Sequence, residues 1–261
     1  MKNTVKEKLK NNGKVIGTFL LTSSTYGIES LGNTDIDYVI IDTEHGPYDT
    51  ETMADLIRAA ENVNLTPFVR ISDINHKEIQ RTVDLGAQGL IVPLVRTMAQ
   101  IQQLVNYAKF TPLGNRGFAP TRSNKFGHDE NFADGIESFM KICNDNVMVI
   151  PQCETAECLE IIEDVVDVDG VDGIFIGPYD LSISLGVPLQ FDNPVYQQAL
   201  KRIQTACHTK NKPVFIYSGD MDTSIELMNK GFDSVAYSLD VDMLAKAYRN
   251  DLKVMRENLK N

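Results

Sequence analysis

Eight short apolar runs recur along the chain, and their spacing restricts how it can fold more than any other feature. They are Val15 to Leu20, Tyr38 to Asp42, Thr66 to Arg70, Gly89 to Val92, Val147 to Gln152, Gly173 to Ile176, Pro213 to Ile216 and Ser234 to Tyr237. Several are unbroken aliphatic stretches, such as Gly89-Leu-Ile-Val92, which is how a parallel strand buried on both faces reads. Longer segments with helical spacing lie between them. In Asp49 to Val63, Asp49 is a predicted N-cap, and Met53, Leu56, Ile57 and Ala60 form one apolar stripe. Strands alternating with helices in this way predict a closed (β/α)8 TIM barrel, and 261 residues match the roughly 250 that such a barrel needs. No low-complexity linker divides the chain, so one α/β domain over 1–261 is expected. The run 241–259 reads as a final helix that covers the barrel or packs on a neighbouring subunit. The longest irregular stretch, Thr111 to Asp129, is expected to carry function or to move.

Composition excludes several function classes. No apolar stretch approaches the ~20 residues of a membrane helix. The segment Met1 to Asn12 is basic and polar and leads into a strand-like run without a cleavage site, so no signal peptide is expected. Cys143, Cys153, Cys158 and Cys207 show no CxxC spacing, the usage of reduced thiols in a cytoplasmic protein. With 36 acidic against 25 basic residues the net charge is −11, which disfavours nucleic acid and anionic membranes as partners. Neither a GxGxxG nor a GxxxxGK[ST] motif is present.

Barrel enzymes work at the C-terminal ends of their strands, so the informative residues are those that follow each run. Strand 2 ends in Asp42-Thr43-Glu44-His45, strand 3 in Arg70, strand 5 in Gln152-Cys153-Glu154 and strand 6 in Gly177-Pro178-Tyr179-Asp180. Adjacent strands lie about 4.8 Å apart, so the carboxylates of Glu154 and Asp180 can converge on one hard divalent cation, Mg²⁺ or Mn²⁺. Alternatively, Asp180 is a helix cap and Glu154 a first-turn acid. Arg70 points a permanent cation at the barrel mouth, suited to a carboxylate or an enolate oxygen, or else pairs with Asp42 or Glu44. His45, the one histidine at a strand end, is the candidate acid/base. Asp84 at a helix C-terminus is unfavourable to the helix dipole and calls for another partner. No strand ends in Lys, which argues against a Schiff-base aldolase. Acids at the ends of strands 7 and 8 argue against a phosphorylated substrate.

Five ordered segments resemble one family. They are Tyr38-Val-Ile-Ile-Asp42-Thr-Glu-His45-Gly-Pro-Tyr-Asp49, Pro67-Phe-Val-Arg70, Asp84-Leu-Gly-Ala-Gln-Gly-Leu-Ile-Val-Pro93, Pro151-Gln-Cys-Glu154-Thr and Asp172-Gly-Ile-Phe-Ile-Gly-Pro-Tyr-Asp180-Leu-Ser. The family is that of the HpcH/HpaI-type, metal-dependent class II pyruvate aldolases, which includes 2,4-dihydroxyhept-2-ene-1,7-dioate aldolase and 2-keto-3-deoxy sugar acid aldolases. The resemblance implies a lyase acting on 4-hydroxy-2-oxo acids, with a small keto acid and an aldehyde as partners. It implies Glu154 and Asp180 as ligands of Mg²⁺ or Mn²⁺, with Co²⁺ a further option. Arg70 and Gln152 would contact pyruvate, and the backbone N–H groups of Tyr179 and Asp180 would receive its carboxylate. His45, tuned by Asp42 and Asp84, would be the acid/base together with a water on the metal. Family members are commonly homohexamers, trimers of dimers, whose sites a neighbour completes, so Asp84 would act across an interface. Arg122, in the loop Gly114 to Ser123, would contact an acidic or hydroxylated aldehyde. Tyr179 stands where a small residue is common, and Cys153 where an aliphatic is usual. The competing readings are a thioester lyase like the citrate lyase β subunit, which needs a basic groove for coenzyme A, and a non-catalytic keto-acid-binding barrel.

Overall fold

In the computed structural model, which describes residues 2–259, each apolar run forms a strand. These are β1 (Val15–Leu20), β2 (Tyr38–Asp42), β3 (Thr66–Arg70), β4 (Gly89–Val92), β5 (Met148–Cys153), β6 (Ile174–Ile176), β7 (Val214–Ser218) and β8 (Ser234–Leu239). All neighbours are parallel, and β8 pairs with β1 to close the barrel in sequence order. The helices are α1 (Thr4–Lys10), α2 (Thr25–Leu31), α3 (Thr50–Asn62), α4 (His76–Asp84), α5 (Met98–Ala108), α6 (Ile136–Asn146), α7 (Ala156–Glu160), α8 (Ile162–Asp167), α9 (Pro178–Ser184), α10 (Pro194–Thr209), α11 (Met221–Asn229) and α12 (Asp240–Asn258). The (β/α)8 expectation therefore holds; of the expected span 1–261, positions 1, 260 and 261 lie outside the described residues.

Local chemistry sets the helix starts. Asp49 caps α3 by accepting from the Thr52 N–H at 2.8 Å, and Thr97 with Gln100 forms a capping box at α5. The stripe Met53, Leu56, Ile57 and Ala60 is buried against the sheet in the layer between barrel and helices. Inside the barrel a second core forms from inward residues, including Tyr38, Ile40, Phe68, Ile150, Phe175 and Phe215. Their rings interlock, with Tyr38 and Phe68 centroids 4.9 Å apart. Gly17 is required here by space, because a β-carbon on it would stand 2.2 Å from the Tyr38 ring.

The end where the strands begin is plugged by α1. Val5 joins the barrel core, and the Asn3 side-chain amide donates to the carbonyls of Gln88 at 2.9 Å and Asn146 at 2.8 Å. The stretch 111–129, expected to be irregular, is so except for a short, kinked 3-10 segment at Arg122–Gly127. It is pinned by Phe118, which meets Phe110, Phe132 and Phe139 edge to face or tilted at 5.9–6.3 Å. The final helix α12 forms as expected and buries no residue.

Candidate active site

Alternate residues of a strand face the barrel axis. The last inward residues of β1, β3, β5, β7 and β8 are Phe19, Arg70, Gln152, Tyr217 and Leu239. They line a cavity of about 190 Å³ at the barrel mouth, which His45, Gly177, Tyr179 and Asp180 complete. A roomier cavity of about 340 Å³ contains Gln88, Arg116, Arg122 and Val147. Gln88 and Val147 immediately precede β4 and β5, so it lies at the other end of the barrel, away from the strand ends where chemistry is expected.

Arg70 is fixed by two acids. Asp42, 1% exposed, takes its Nε at 2.9 Å and Nη2 at 2.6 Å, and Glu44 takes Nη1 at 3.1 Å. Its guanidinium lies 4.9 Å over the Phe19 ring. The ion-pair alternative for Arg70 is thus realised, and the pair also holds the cation at the cavity wall. Asp42 meets His45 only through the backbone, accepting its N–H at 3.4 Å. The His45 imidazole is exposed, with Glu44 at 3.9 Å as its nearest ion partner.

Glu154 carries the greatest electrostatic tension. It is 3% exposed, and its oxygens accept from the Leu94 N–H at 2.6 Å and from the Gln152 side-chain amide. Burial, with the neighbouring charges of Asp180 and Glu44, outweighs those two bonds and pushes its carboxyl up to about 7. Among the described residues no cation lies within ion-pair distance of it, and Arg70, which feels its charge from further off, is paired with Asp42 and Glu44. The Gln152 Oε1 is buried without a hydrogen-bond partner. Gly177 keeps this corner open, because a β-carbon there would stand 2.5 Å from Glu154 Oε2 and 2.7 Å from Gln152 Nε2. Among the described residues no three His, Cys, Asp or Glu side chains gather at metal-binding spacing. What this chain offers is a buried, unneutralised carboxylate with a second acid nearby. An all-oxygen set with few protein ligands fits a hard divalent cation that keeps several waters.

The profile of the HpcH/HpaI aldolase/citrate lyase family matches residues 15–247. The chain belongs to that family. Among curated family relatives, hydroxypyruvate/pyruvate aldolase of Roseobacter denitrificans is 31% identical over 93% of each chain. The 4-hydroxy-2-oxo-heptane-1,7-dioate aldolase of Escherichia coli is 30% identical over 95% of this chain and 92% of its own length. The crystal structure of an HpcH/HpaI aldolase/citrate lyase family protein from Burkholderia cenocepacia superposes with a TM-score of 0.89 at 29% identity, covering 98% of this chain and 100% of that one. As a member of the HpcH/HpaI family the chain is an enzyme of the aldolase type.

Two expected site residues of this family member stand elsewhere in the structure. Asp84 ends α4, five residues before β4 begins, and so lies at the opposite rim, where its carboxylate takes Arg116 Nη2 at 2.7 Å. Arg122 is also there, bound to Glu61 and to the Leu85 carbonyl at 2.9 Å. A helix that returns to the start of the next strand delivers its C-terminus to that rim, so neither side chain enters the mouth of its own barrel. Glu44, read as a possible partner for Arg70, takes that place. Two contributors escaped the sequence reading. Tyr217 was placed just past a strand that in fact runs on to Ser218. Leu94 contributes a backbone N–H from a left-handed conformation, φ 54°, that no residue type announces. Cys153 faces away from the mouth, into the layer that also holds Cys158 and Cys207.

Proposed function

We propose that the chain is a divalent-metal-dependent aldolase that forms or cleaves a 4-hydroxy-2-oxo acid, with pyruvate as the enolate partner of an aldehyde. The observation that carries this is the buried Glu154, in no ion pair among the described residues, beside an unpartnered Gln152 oxygen and a rigidly held Arg70. Glu154 and Asp180 are the residues to hold Mg²⁺ or Mn²⁺, with Co²⁺ as a further option; when bound, the ion supplies Lewis-acid polarisation of the keto group. Arg70, clamped by Asp42 and Glu44, takes the keto oxygen as negative charge develops on it. Gln152 orients the same ligand. The backbone N–H groups of Tyr179 and Asp180, in the first turn of α9 and without helical partners, receive the pyruvate carboxylate. In cleavage, His45 at the rim takes the proton of the C4 hydroxyl and returns one to the enolate carbon, a role that needs hydrogen-bond reach.

The same proposal makes the whole chain, 1–261, one working domain of a homo-oligomer, a hexamer built as a trimer of dimers. Supporting this, α12 exposes Val241, Leu244, Tyr248, Leu252 and Met255 along one stripe. Asp84 and Arg122, being at the far rim, can serve a mouth only if it belongs to another copy. A cytoplasmic setting agrees with the four unpaired cysteines, and among the described residues no helix is long and apolar enough to cross a membrane. The thioester lyase reading requires free basic groups at the mouth, whereas Arg70 is already committed to two acids.

Pyruvate release from 4-hydroxy-2-oxo acids, coupled to lactate dehydrogenase, tests the reading. Release that EDTA abolishes and Mg²⁺ or Mn²⁺ restores is expected. Absence of release with every metal would overturn it.

A further inference from the structure

Buried polar groups in a folded chain are almost always hydrogen-bonded, so each exception asks for a partner. Outside the mouth two such atoms stand alone among the described residues, Gln88 Oε1 and Arg116 Nε, and both side chains line the cavity of about 340 Å³ at the rim where the strands begin. Each residue is 8% exposed. Gln88 immediately precedes β4, in which Gly89 and Ile91 turn toward the barrel axis, so its side chain is sent outward into the helix layer. Its backbone is fully used, donating to Pro67 and accepting from Met148, while the side-chain oxygen finds nothing. Arg116 is held from its far end, where Nη2 donates to Asp84 at 2.7 Å and the guanidinium lies 4.5 Å over the Phe110 ring. Its Nε is therefore fixed in place with no acceptor.

Space, polarity and charge define what fits. The volume lies within the ~300–1,000 Å³ of ordinary small-molecule sites, and Val83, Phe139, Ile142 and Val147 give it apolar walls. The charges around it cancel in pairs, Arg116 with Asp84, Arg122 with Glu61 and Lys125 with Asp129. An ion brought here would give up its hydration for counter-charges that are already engaged, which favours an uncharged molecule. To satisfy both lone atoms, that molecule needs an acceptor for Arg116 Nε and a donor for Gln88 Oε1. A carboxamide carries the two side by side, and it pairs with the Gln88 amide whichever way round that amide is turned. Two consecutive wall residues, Lys125 and Phe126, hold left-handed backbones, φ 51° and 57°, a strained conformation that recurs where a chain clamps a ligand.

We infer that this cavity is a second binding site, separate from the mouth, for a small uncharged primary carboxamide with an apolar ring or chain. The inference stands whether or not the aldolase reading does. Benzamide and benzoate, nearly equal in shape, are titrated calorimetrically into the full-length protein and into its variants Gln88→Met and Arg116→Lys; lysine keeps a cation for Asp84 but has no Nε. Benzamide is expected to bind the parent chain about tenfold more tightly than benzoate, and each variant to lose about tenfold in benzamide affinity, the worth of one hydrogen bond. Gln88→Met should melt at the parent temperature or above it, because it removes an unpaired buried amide. Place is read separately through Cys143, which lines the cavity and is the one cysteine of the four that is not fully buried. Benzamide should slow its labelling by methyl methanethiosulfonate in the parent chain and leave it unchanged in Gln88→Met. No binding of benzamide, binding of benzoate that is equal or tighter, an affinity unchanged in both variants, or a Cys143 that benzamide does not protect would each overturn the inference.

Discussion

At the end of the barrel where the strands begin, the carboxylate of Asp172 takes Lys109 Nζ at 2.8 Å and Lys6 Nζ at 2.5 Å. At the end where they finish, Glu154, 3% exposed, takes only a backbone N–H and an amide. Burial works against ionisation in both. At Asp172 the two lysines overcome it and hold the carboxyl below its ordinary value; at Glu154 neighbouring acids add to it and the carboxyl rises to about 7. The difference teaches that the fold neutralises charge at Asp172, which ties elements together, and leaves it unneutralised at Glu154, where the proposed cation would be received.

Exchanging the two carboxylates for their amides should separate these roles. Glu154→Gln is expected to cut metal-dependent turnover about a thousandfold, equivalent to ~4 kcal/mol of lost transition-state stabilisation, with the melting temperature unchanged or raised. A steady-state assay beside a thermal melt checks it, and a variant that is inactive because it is unfolded would break the comparison. Asp172→Asn should do the reverse, lowering stability by about 3 kcal/mol because Lys109, 1% exposed at its side chain, loses its counter-charge. Urea unfolding measures that loss, and the folded fraction should keep its specific activity.

Metal sharpens the contrast at a smaller scale. At about a hundred times its dissociation constant, Mg²⁺ or Mn²⁺ should stabilise the parent chain by roughly 2.7 kcal/mol, and EDTA should remove that gain. The same addition should leave Glu154→Gln unmoved. The smallest effect is on pH. Because the folded-state value of Asp172 is depressed, its contribution is present above its unfolded value near pH 4 and is lost as pH falls through the folded one. Urea midpoints of the parent and Asp172→Asn should therefore keep a constant gap from pH 5 to 7 and converge below pH 4.

Much of this was legible in the sequence. The strands were readable because parallel strands buried on both faces need uninterrupted apolar runs, and the mouth was readable because Asp42, Arg70 and Gln152 end those runs and Glu154 comes two residues after one. The partner of Asp42 was not readable. Spacing alone allows it to serve Arg70 or His45, and only the paired register of Asp42 with Arg70 on β2 and β3 decides. Tyr217 was hidden because Tyr-Ser at a strand end reads as a turn as readily as it reads as pleat. The positions of Asp84 and Arg122 follow from the direction of the helix and loop that carry them, which an assignment by motif passes over.

The plug formed by α1 bears on how the molecule matures. Asn3 and its partner Asn146 are 143 positions apart, so α1, made before β5, cannot complete its docking until β5 is being made. The barrel floor is thus among the last parts of the barrel to lock, although α1 precedes every strand. Loosening Asn3 should therefore register as slow, aggregation-prone biogenesis in a chain whose finished copies turn over normally.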